Sequence, residues 1–261
     1  MSIKCSRKIG WLLAMLCVAL LAFAIPTLLP ALRHGSQAVK WASCTRHLTQ
    51  VGLALHNYHQ QYGSLPPAYV VDKAGRPILS WRVLILPNLL RDDLYSQVRL
   101  DEPWNSPHNL RLAALMPDTY RCPADTSARE GEASYVAVVG PQTLWPGATG
   151  RRLPTMRMSR TILVVEAAGS GISWMEPRDL AFSAAAKGVA RGARSGIVCC
   201  HPCGGGAEMV RGVYSGYMPA VVGYRLSGAN CLFANGGTLT VSETVSPQVM
   251  TELLRVDPGE F

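Results

Sequence analysis

The run Cys199-Cys200-His201-Pro202-Cys203 brings the most metal-binding residue types together in this sequence. Cysteine thiolates and histidine nitrogens at such spacing can converge on a zinc ion. A closed zinc site needs four ligands, however, and the sequence has no second Cys-x2-Cys pair. Vicinal cysteines in a glycine-rich, exported segment form disulfides more often, so we prefer disulfides to zinc here. No cofactor is predicted.

Two histidines, His56 and His59, lie three residues apart on a predicted helix with Tyr58 between them. That spacing would let them share a metal ion. Neither has a thiol or carboxylate nearby in the sequence, and we predict that both pack or cap rather than bind metal.

Three carboxylates, Glu166, Glu176 and Asp179, fall within one predicted strand and the loop after it. Clustered in one pocket with His201, they would favour a zinc-dependent or carboxylate-based enzyme. Arg178 and nearby backbone amides are the expected partners instead. The sequence has no Gly-x-Ser-x-Gly elbow, phosphate-binding loop or His-Glu-x-x-His helix, so we predict no catalytic residue.

Tryptophans offer another kind of site. An exposed cluster of Trp145 with Trp174 or Trp104 would indicate an extracellular module that binds carbohydrate or protein. Single tryptophans are more often partly buried packing residues.

The N-terminal region contains an uncharged, apolar run over residues 9–32. About 20 such residues suffice to cross the hydrocarbon core of a bilayer. Three basic residues precede the run, which favours a cytoplasmic N-terminus over residues 1–8 and an exported remainder. A cleavable signal peptide ending at Ala22-Phe23-Ala24 is the alternative, and it would export the domain too.

The formal net charge of +8 is concentrated near this apolar run. Six basic residues precede Asp72, the first acidic residue, and the excess beyond it is small. The basic residues are therefore interpreted as membrane flanks, and no nucleic-acid partner is expected.

Six cysteines lie beyond the apolar run, in what would be an oxidising compartment. Disulfides among them are expected, although six cysteines allow 15 connectivities and the sequence does not choose one. The six are Cys44, Cys122, Cys199, Cys200, Cys203 and Cys231.

Periodicity predicts the elements that would position these residues. Residues 33–63 form an amphipathic helix that ends at Gly63, and Ser80 caps a second helix that Pro87 bends. Strands are predicted at 134–139, 161–166, 229–234 and 238–242, the last two joined by a turn at Asn235-Gly236. A short helix begins at Ser246-Pro247. The Gly- and Ala-rich residues 184–223 are interpreted as an excursion from the sheet or a mobile loop.

Many segments resemble, in order, a large bacterial family of pilin-like proteins that carries an H-x9-D-G motif and is known as domain of unknown function 1559. They include Gln50-Val-Gly-Leu-Ala-Leu-His-Asn-Tyr-His59, Tyr62-Gly-Ser-Leu-Pro-Pro67, Ser80-Trp-Arg-Val-Leu84, Pro103-Trp-Asn-Ser-Pro-His-Asn109, Tyr120-Arg-Cys-Pro123, Ser134-Tyr-Val-Ala-Val-Val-Gly140, Thr161-Ile-Leu-Val-Val-Glu166 and Gly228-Ala-Asn-Cys-Leu-Phe-Ala234.

This resemblance implies an α+β, pilin-like fold, in which a long N-terminal transmembrane and amphipathic helix packs on an antiparallel sheet. Residues 64–261 would form the exported globular domain. The expected function is a membrane-tethered, pseudopilin-like structural or interaction protein of the cell envelope without catalytic activity. Its expected partners are the membrane, through residues 9–32, and envelope or pilin-like proteins.

Two positions depart from the family pattern. A prepilin processing site would lie at Gly10-Trp11, but Met15 stands where such a signal carries glutamate. In the H-x9-D-G motif, Arg225 takes the histidine position and Asn235 the aspartate position, followed by Gly236. Any chemistry of that histidine and aspartate is therefore expected to be lost, while the turn is kept.

Overall fold

The computed structural model describes Met15 and residues 39–154, 156–190, 197–198 and 228–256. Contacts divide the chain into two units, residues 1–42 and 43–261. In the first unit, Met15 and residues 39–42 are helical. The predicted anchor over residues 9–32 otherwise lies outside the described residues. Among the residues that are described, no helix combines the length and apolar character needed to span a bilayer.

The first helix, α1, covers residues 39–62. Its part in the second unit has one fully buried face, which includes Leu48, Val51 and Leu55 as the helical period predicts. The helix ends before Gly63, whose φ of 74° only glycine adopts without strain. Tyr62, in the last turn of this helix, is 60% exposed and rests on Tyr58 with ring centroids 4.4 Å apart.

A small hairpin follows, formed by the antiparallel strands β1 (Tyr69–Val71) and β2 (Pro77–Ser80). Ser80 then caps α2 (Trp81–Leu84), as predicted, by accepting a hydrogen bond from the Arg82 amide. The helix does not continue through Pro87 as a bent helix, and that prediction was wrong. Pro87 lacks an amide proton and its ring clashes with the carbonyl of the preceding turn, so a separate 3-10 helix begins there.

Short helices cover the next region, and then the chain enters the main sheet. They are α3 (Asp92–Tyr95), α4 (Asn109–Leu112) and the 3-10 helices Ala113–Leu115 and Asp118–Tyr120. The sheet strands are β3 (Tyr135–Val139), β4 (Ile162–Glu166) and β5 (Leu180–Ala181), followed after several shorter elements by β8 (Gly228–Phe233) and β9 (Thr238–Ser242).

These five strands have the order β5-β3-β4-β8-β9. All neighbours pair antiparallel except β3 and β5, which are parallel. The mixed sheet with surrounding helices confirms an α+β fold. The hairpin between β8 and β9 turns at Asn235-Gly236 as predicted, with Gly236 at a φ of 82°.

Five further described elements complete the fold. They are the 3-10 helix Met158–Arg160, α5 (Phe182–Ala185), the parallel pair β6 (Val189–Ala190) and β7 (Ile197–Val198), and α6 (Pro247–Leu254). Ser246 caps α6 by accepting from the Val249 amide, and Pro247 occupies its first turn, which confirms that prediction.

Alternate residues of the strands divide between two apolar clusters. Tyr135 and Ala137 of β3 join a cluster that contains the buried face of α1, whereas Val136 and Val138 join one that contains Met250 of α6. Side chains of successive strand residues point to opposite faces, so both faces of this sheet are covered.

Gly52 of α1 lies directly against β8. A Cβ atom there would come within 2.8 Å of Leu232 Cδ1. The helix therefore packs closely on β8.

Candidate functional site

A disulfide joins Cys44 in α1 to Cys122, which follows the 3-10 helix Asp118–Tyr120. The two residues are 78 positions apart and both are fully buried. Tyr135 on β3 donates a hydrogen bond from its hydroxyl to the Cys44 carbonyl at 3.3 Å. This confirms the expectation of disulfides and resolves one pair among the six candidate cysteines.

Cys231, another of those candidates, is a free thiol in β8. Its side chain points to the sheet face covered by α6, where it belongs to the second apolar cluster. The Cys44–Cys122 disulfide lies with α1 and the first cluster. The disulfide interpretation was wrong for Cys231, which is not paired, and the register of β8 places its side chain on the sheet face opposite the Cys44–Cys122 pair.

The carboxylate of Glu166, at the end of β4, is buried beside the disulfide. One of its oxygens accepts a hydrogen bond from the backbone amide of Asn230 on β8 at 3.0 Å. The side-chain oxygen of Asn230 in turn accepts a hydrogen bond from the Thr240 hydroxyl on β9 at 2.9 Å. A polar chain therefore crosses three strands, and it satisfies groups whose burial without partners would be costly.

The carboxylate oxygen of Glu166 and the sulfur atoms of Cys44 and Cys122 all lie within 4.8 Å of one another. In the part of the chain described, this is the one group of three histidine, cysteine or acidic side chains that come so close together, and two of its members are joined in the disulfide. Sequence reasoning had grouped Glu166 with Glu176 and Asp179 instead. The available signal was that Glu166 is the single charged residue of an otherwise apolar strand.

Asp179 belongs to a different buried cluster. Its carboxylate lies 2.6 Å from Arg82 Nη2, and both side chains are almost fully enclosed, at 1% and 0% exposed. Trp81 Nε1 and the Ala137 amide also donate to it, at 3.1 and 2.8 Å. Arg82 donates to the Tyr135 carbonyl as well. This cluster ties α2, β3 and the loop before β5 together.

Glu176, by contrast, lies near the surface and pairs with Arg178 at 2.6 Å, the partner that the sequence suggested. The three candidate carboxylates therefore go to three places: the disulfide, the Arg82 cluster and a surface ion pair. They do not converge on one pocket.

Each candidate histidine packs against the domain from α1. His59 Nε2 accepts a hydrogen bond from the Leu153 amide at 3.2 Å. Burial lowers the pKa of His59, and the nearby His56 and Arg152 lower it further. His56 faces the turn between β8 and β9, where its Nε2 would lie 3.6 Å from a Cβ atom on Gly236. These contacts fit the packing role that was predicted.

The tryptophans do not form an exposed platform. Trp145 and Trp174 are 1% and 0% exposed, and their indole N–H groups donate to the carbonyls of Leu163 and Ala113. Trp104 is partly buried against the first apolar cluster. The feature that would have indicated a binding module is therefore absent at these three residues.

A sequence model of one family, described as a protein of unknown function (DUF1559), matches residues 37–178, which is more than half of the chain. The chain belongs to the DUF1559 family. No curated protein and no solved structure matches it. The DUF1559 match includes Cys44, Cys122 and Glu166, so all three members of the disulfide cluster lie in the family region.

Asn235 and Gly236, the described residues at which a degenerate motif was predicted, form the turn between β8 and β9. Asn235 is exposed, and its side-chain oxygen accepts from the Gly237 amide at 2.9 Å, which stabilises the hairpin turn. Six other candidate residues lie outside the described residues: Gly10, Trp11, Cys199, Cys200, His201 and Cys203. The same is true of Arg225, so their proposed roles remain predictions of the sequence.

Proposed function

We propose that the protein is a membrane-tethered, pseudopilin-like structural or interaction protein of the cell envelope, with its domain outside the cytoplasm and no catalytic activity. The carrying observation is the packing of α1 on the sheet, where Gly52 lies against Leu232. An apolar segment that continues into a helix packed on an antiparallel sheet is the arrangement expected of a pilin-like subunit.

The disulfide supports the proposed location. Disulfides form and persist in exported proteins and are rare in a reducing cytoplasm. Cys44 lies early in α1, so its bond to Cys122 fixes the start of this helix to the globular domain. A subunit that is held to a membrane by the preceding segment would gain mechanical strength from such a link.

The described carboxylates support a role without catalysis. Asp179 is neutralised by Arg82 in an enclosed site, and Glu176 is paired with Arg178. Neither is left to act as an acid or base on a substrate. Neighbouring envelope proteins or pilin-like subunits are the proposed partners, and Leu53, 62% exposed on α1, offers them an apolar contact.

Mass spectrometry of the mature N-terminus tests the tether. A retained tether predicts a membrane-bound chain whose apolar segment is present, either intact or cleaved after Gly10 with a methylated Trp11. Cleavage after Ala24, with the domain released into the soluble fraction, would contradict the proposal. Protease treatment of spheroplasts should digest the domain from outside, and protection of the domain until lysis would exclude the proposed orientation.

A Met15→Glu variant separates a tether from a fibre subunit, because it restores the glutamate that a prepilin signal carries. We expect wild-type protein to stay in the membrane as single subunits. If fibres of the wild-type protein can be sheared from the cell surface, the protein is a fibre subunit and the proposed tether is wrong. If fibres appear only with Met15→Glu, the missing glutamate is what keeps the natural chain in the membrane.

A further inference from the structure

We propose that His59 is a pH-sensitive switch within the domain. While its imidazole is neutral, it holds the end of segment 147–153 against α1, and it releases that segment when the ring takes up a proton. This inference does not depend on the proposed envelope function, because it concerns contacts inside the folded domain.

Hydrogen bonds join segment 147–153 to α1 and to the residues just after that helix. One of them runs from the Leu65 amide to the Arg151 carbonyl at 2.8 Å, and neither of these backbone groups titrates. At the end of the segment, the Leu153 amide donates to Nε2 of His59 at 3.2 Å. Of these two bonds, only the second depends on the protonation state of a side chain.

The direction of the second bond makes it sensitive to acid. A ring nitrogen of histidine accepts a hydrogen bond only while it carries no proton, and both ring nitrogens carry one in the charged form. A proton on Nε2 of His59 therefore removes the acceptor and places a second donor against the Leu153 amide. The proton that charges the ring is also the one that breaks the bond.

The surroundings of His59 oppose its charged form. Burial lowers the pKa of His59, and the charges of His56 and Arg152 lower it further. Neither α1, over residues 39–62, nor residues 140–160 contain an aspartate or a glutamate. The charged groups of residues 140–160 are Arg151, Arg152, Arg157 and Arg160, and of these Arg157 pairs with Glu252 of α6 at 3.6 Å.

The hairpin between β8 and β9, which His56 faces, brings no charge either. Its residues 228–242 contain no acidic or basic side chain. The elements of the described chain that surround this end of α1 therefore carry cationic groups and no carboxylate of their own. A charged His59 gains no ion pair from them.

The sign of the pH dependence follows from these contacts. An unfolded histidine titrates near pH 6.5, and the pKa of His59 is lower in the closed form. The bond therefore adds stability that is complete above about pH 6.5 and is lost as the pH falls below that value and through the lower pKa. Release begins well above the range near pH 4 in which carboxylates titrate.

His47 offers a matched control on the same helix. Its Nδ1 lies 2.9 Å from the carbonyl oxygen of Arg121, which can only accept a hydrogen bond. The His47 ring therefore donates, and it can still donate in the charged form. Acid should break the bond of His59 and leave that of His47 intact.

Hydrogen–deuterium exchange of the full-length chain in a non-ionic detergent tests the proposal. Peptides that cover segment 147–153 are followed by mass spectrometry at about pH 7.5 and about pH 5, on either side of the unperturbed histidine pKa. An unstructured peptide of the same sequence corrects for the intrinsic effect of pH on exchange. Peptides from β3 and β4 report whether the rest of the domain stays folded.

We expect the protection of segment 147–153 in wild-type protein to fall about tenfold at the lower pH, as the loss of one hydrogen bond to a ring that becomes charged implies. His59→Gln should keep its protection at both pH values, because the amide oxygen accepts from Leu153 and does not titrate. His59→Leu has no acceptor and should be poorly protected at both. His47→Gln should retain the pH dependence of wild type.

Three results would overturn the proposal. Equal protection of segment 147–153 in wild-type protein at the two pH values is the first, and it needs no variant. A full pH dependence in His59→Gln, with β3 and β4 protected as in wild type, is the second. The third is a parallel loss of protection in β3 and β4 of wild-type protein, which would mean that acid unfolds the domain and does not release one segment.

Discussion

Buried charged side chains in the domain form ion pairs or hydrogen bonds with neighbouring groups. Arg82 and Asp179 form an enclosed ion pair, and Asp125 accepts hydrogen bonds from Ser127 and Ser134. Burying an ion without such partners costs several kcal/mol. Removing one member of a buried pair should therefore be far more damaging than removing one member of a surface pair.

Asp179→Ala tests this at the enclosed pair. The variant leaves the Arg82 guanidinium buried without its carboxylate, and we expect a loss of about 3 to 5 kcal/mol in the free energy of unfolding. Glu176→Ala is the matched control, since its pair with Arg178 is partly exposed and should contribute no more than about 1 kcal/mol. Urea denaturation measures both. Equal losses in the two variants would show that burial does not set the importance of the pair.

Asp125 should make the stability depend on pH in the acid range. Burial opposes its ionisation, but hydrogen bonds from Ser127, Ser134 and the Gly169 amide outweigh burial and lower the pKa of Asp125. A lowered pKa in the folded state adds stability that is fully present above the unfolded pKa of about 3.9 and is lost as the pH falls through the folded value.

The comparison of wild-type protein with Asp125→Asn checks that sign. The stability advantage of wild type should be constant near neutral pH and should shrink as the pH falls below about 4. Ser134→Ala, which removes one donor, should reproduce part of the difference. An advantage that grows toward low pH would contradict the direction of the pKa shift. Denaturant midpoints at a series of pH values provide the measurement.

At the scale of elements, the disulfide between α1 and the residue after Asp118–Tyr120 spans 78 positions. Replacing both cysteines by alanine should cost about 2 to 5 kcal/mol, chiefly because the unfolded chain gains freedom. Urea unfolding of oxidised wild type and of the double variant measures the loss. Wild type reduced in the presence of a chelator should unfold near the double variant. A reduced protein as stable as the oxidised one would show that the link adds nothing.

Elements with local signals were predictable from the sequence, and long-range pairs were not. Two helices begin at the predicted caps Ser80 and Ser246, whose side chains accept hydrogen bonds from amides two or three residues later. The turn at Asn235-Gly236 also involves only neighbouring residues, so each of these features could be predicted from a short stretch of sequence. Arg82 and Asp179 are 97 positions apart, and no spacing rule relates them. Pro87 was recognised, but whether it bends or ends a helix depends on the packing around it.

At the scale of the whole molecule, the family match ends at residue 178, but the main sheet includes strands beyond that residue. β8 pairs with β4, which lies inside the match, and β9 pairs with β8. Asp179, the partner of Arg82, lies just beyond the match. The portion recognisable as DUF1559 is therefore only part of the cooperative fold.

Truncation tests this dependence. A chain that ends at residue 178 loses β5, β8, β9 and α6, and it should lack a cooperative thermal transition. A chain that ends at Val256 is the control, because it keeps those elements and the hydrogen bond from the Val256 amide to the Gln142 carbonyl. It should unfold near the full-length midpoint. A cooperative transition in the shorter chain would show that residues 37–178 form a domain by themselves.

The free thiol of Cys231 lies in β8 inside the domain, and burial, aided by the negative charge of Glu166, raises its pKa. An alkylating reagent can reach it only when this part of the domain opens, because the thiol is fully buried on the sheet face that α6 covers. The rate at which Cys231 is modified can be followed by mass spectrometry of the peptide that contains it. This rate therefore reports how often this part of the domain opens. Cys231 is therefore a natural reporter of local unfolding on this face of the sheet, and no residue has to be introduced to measure it.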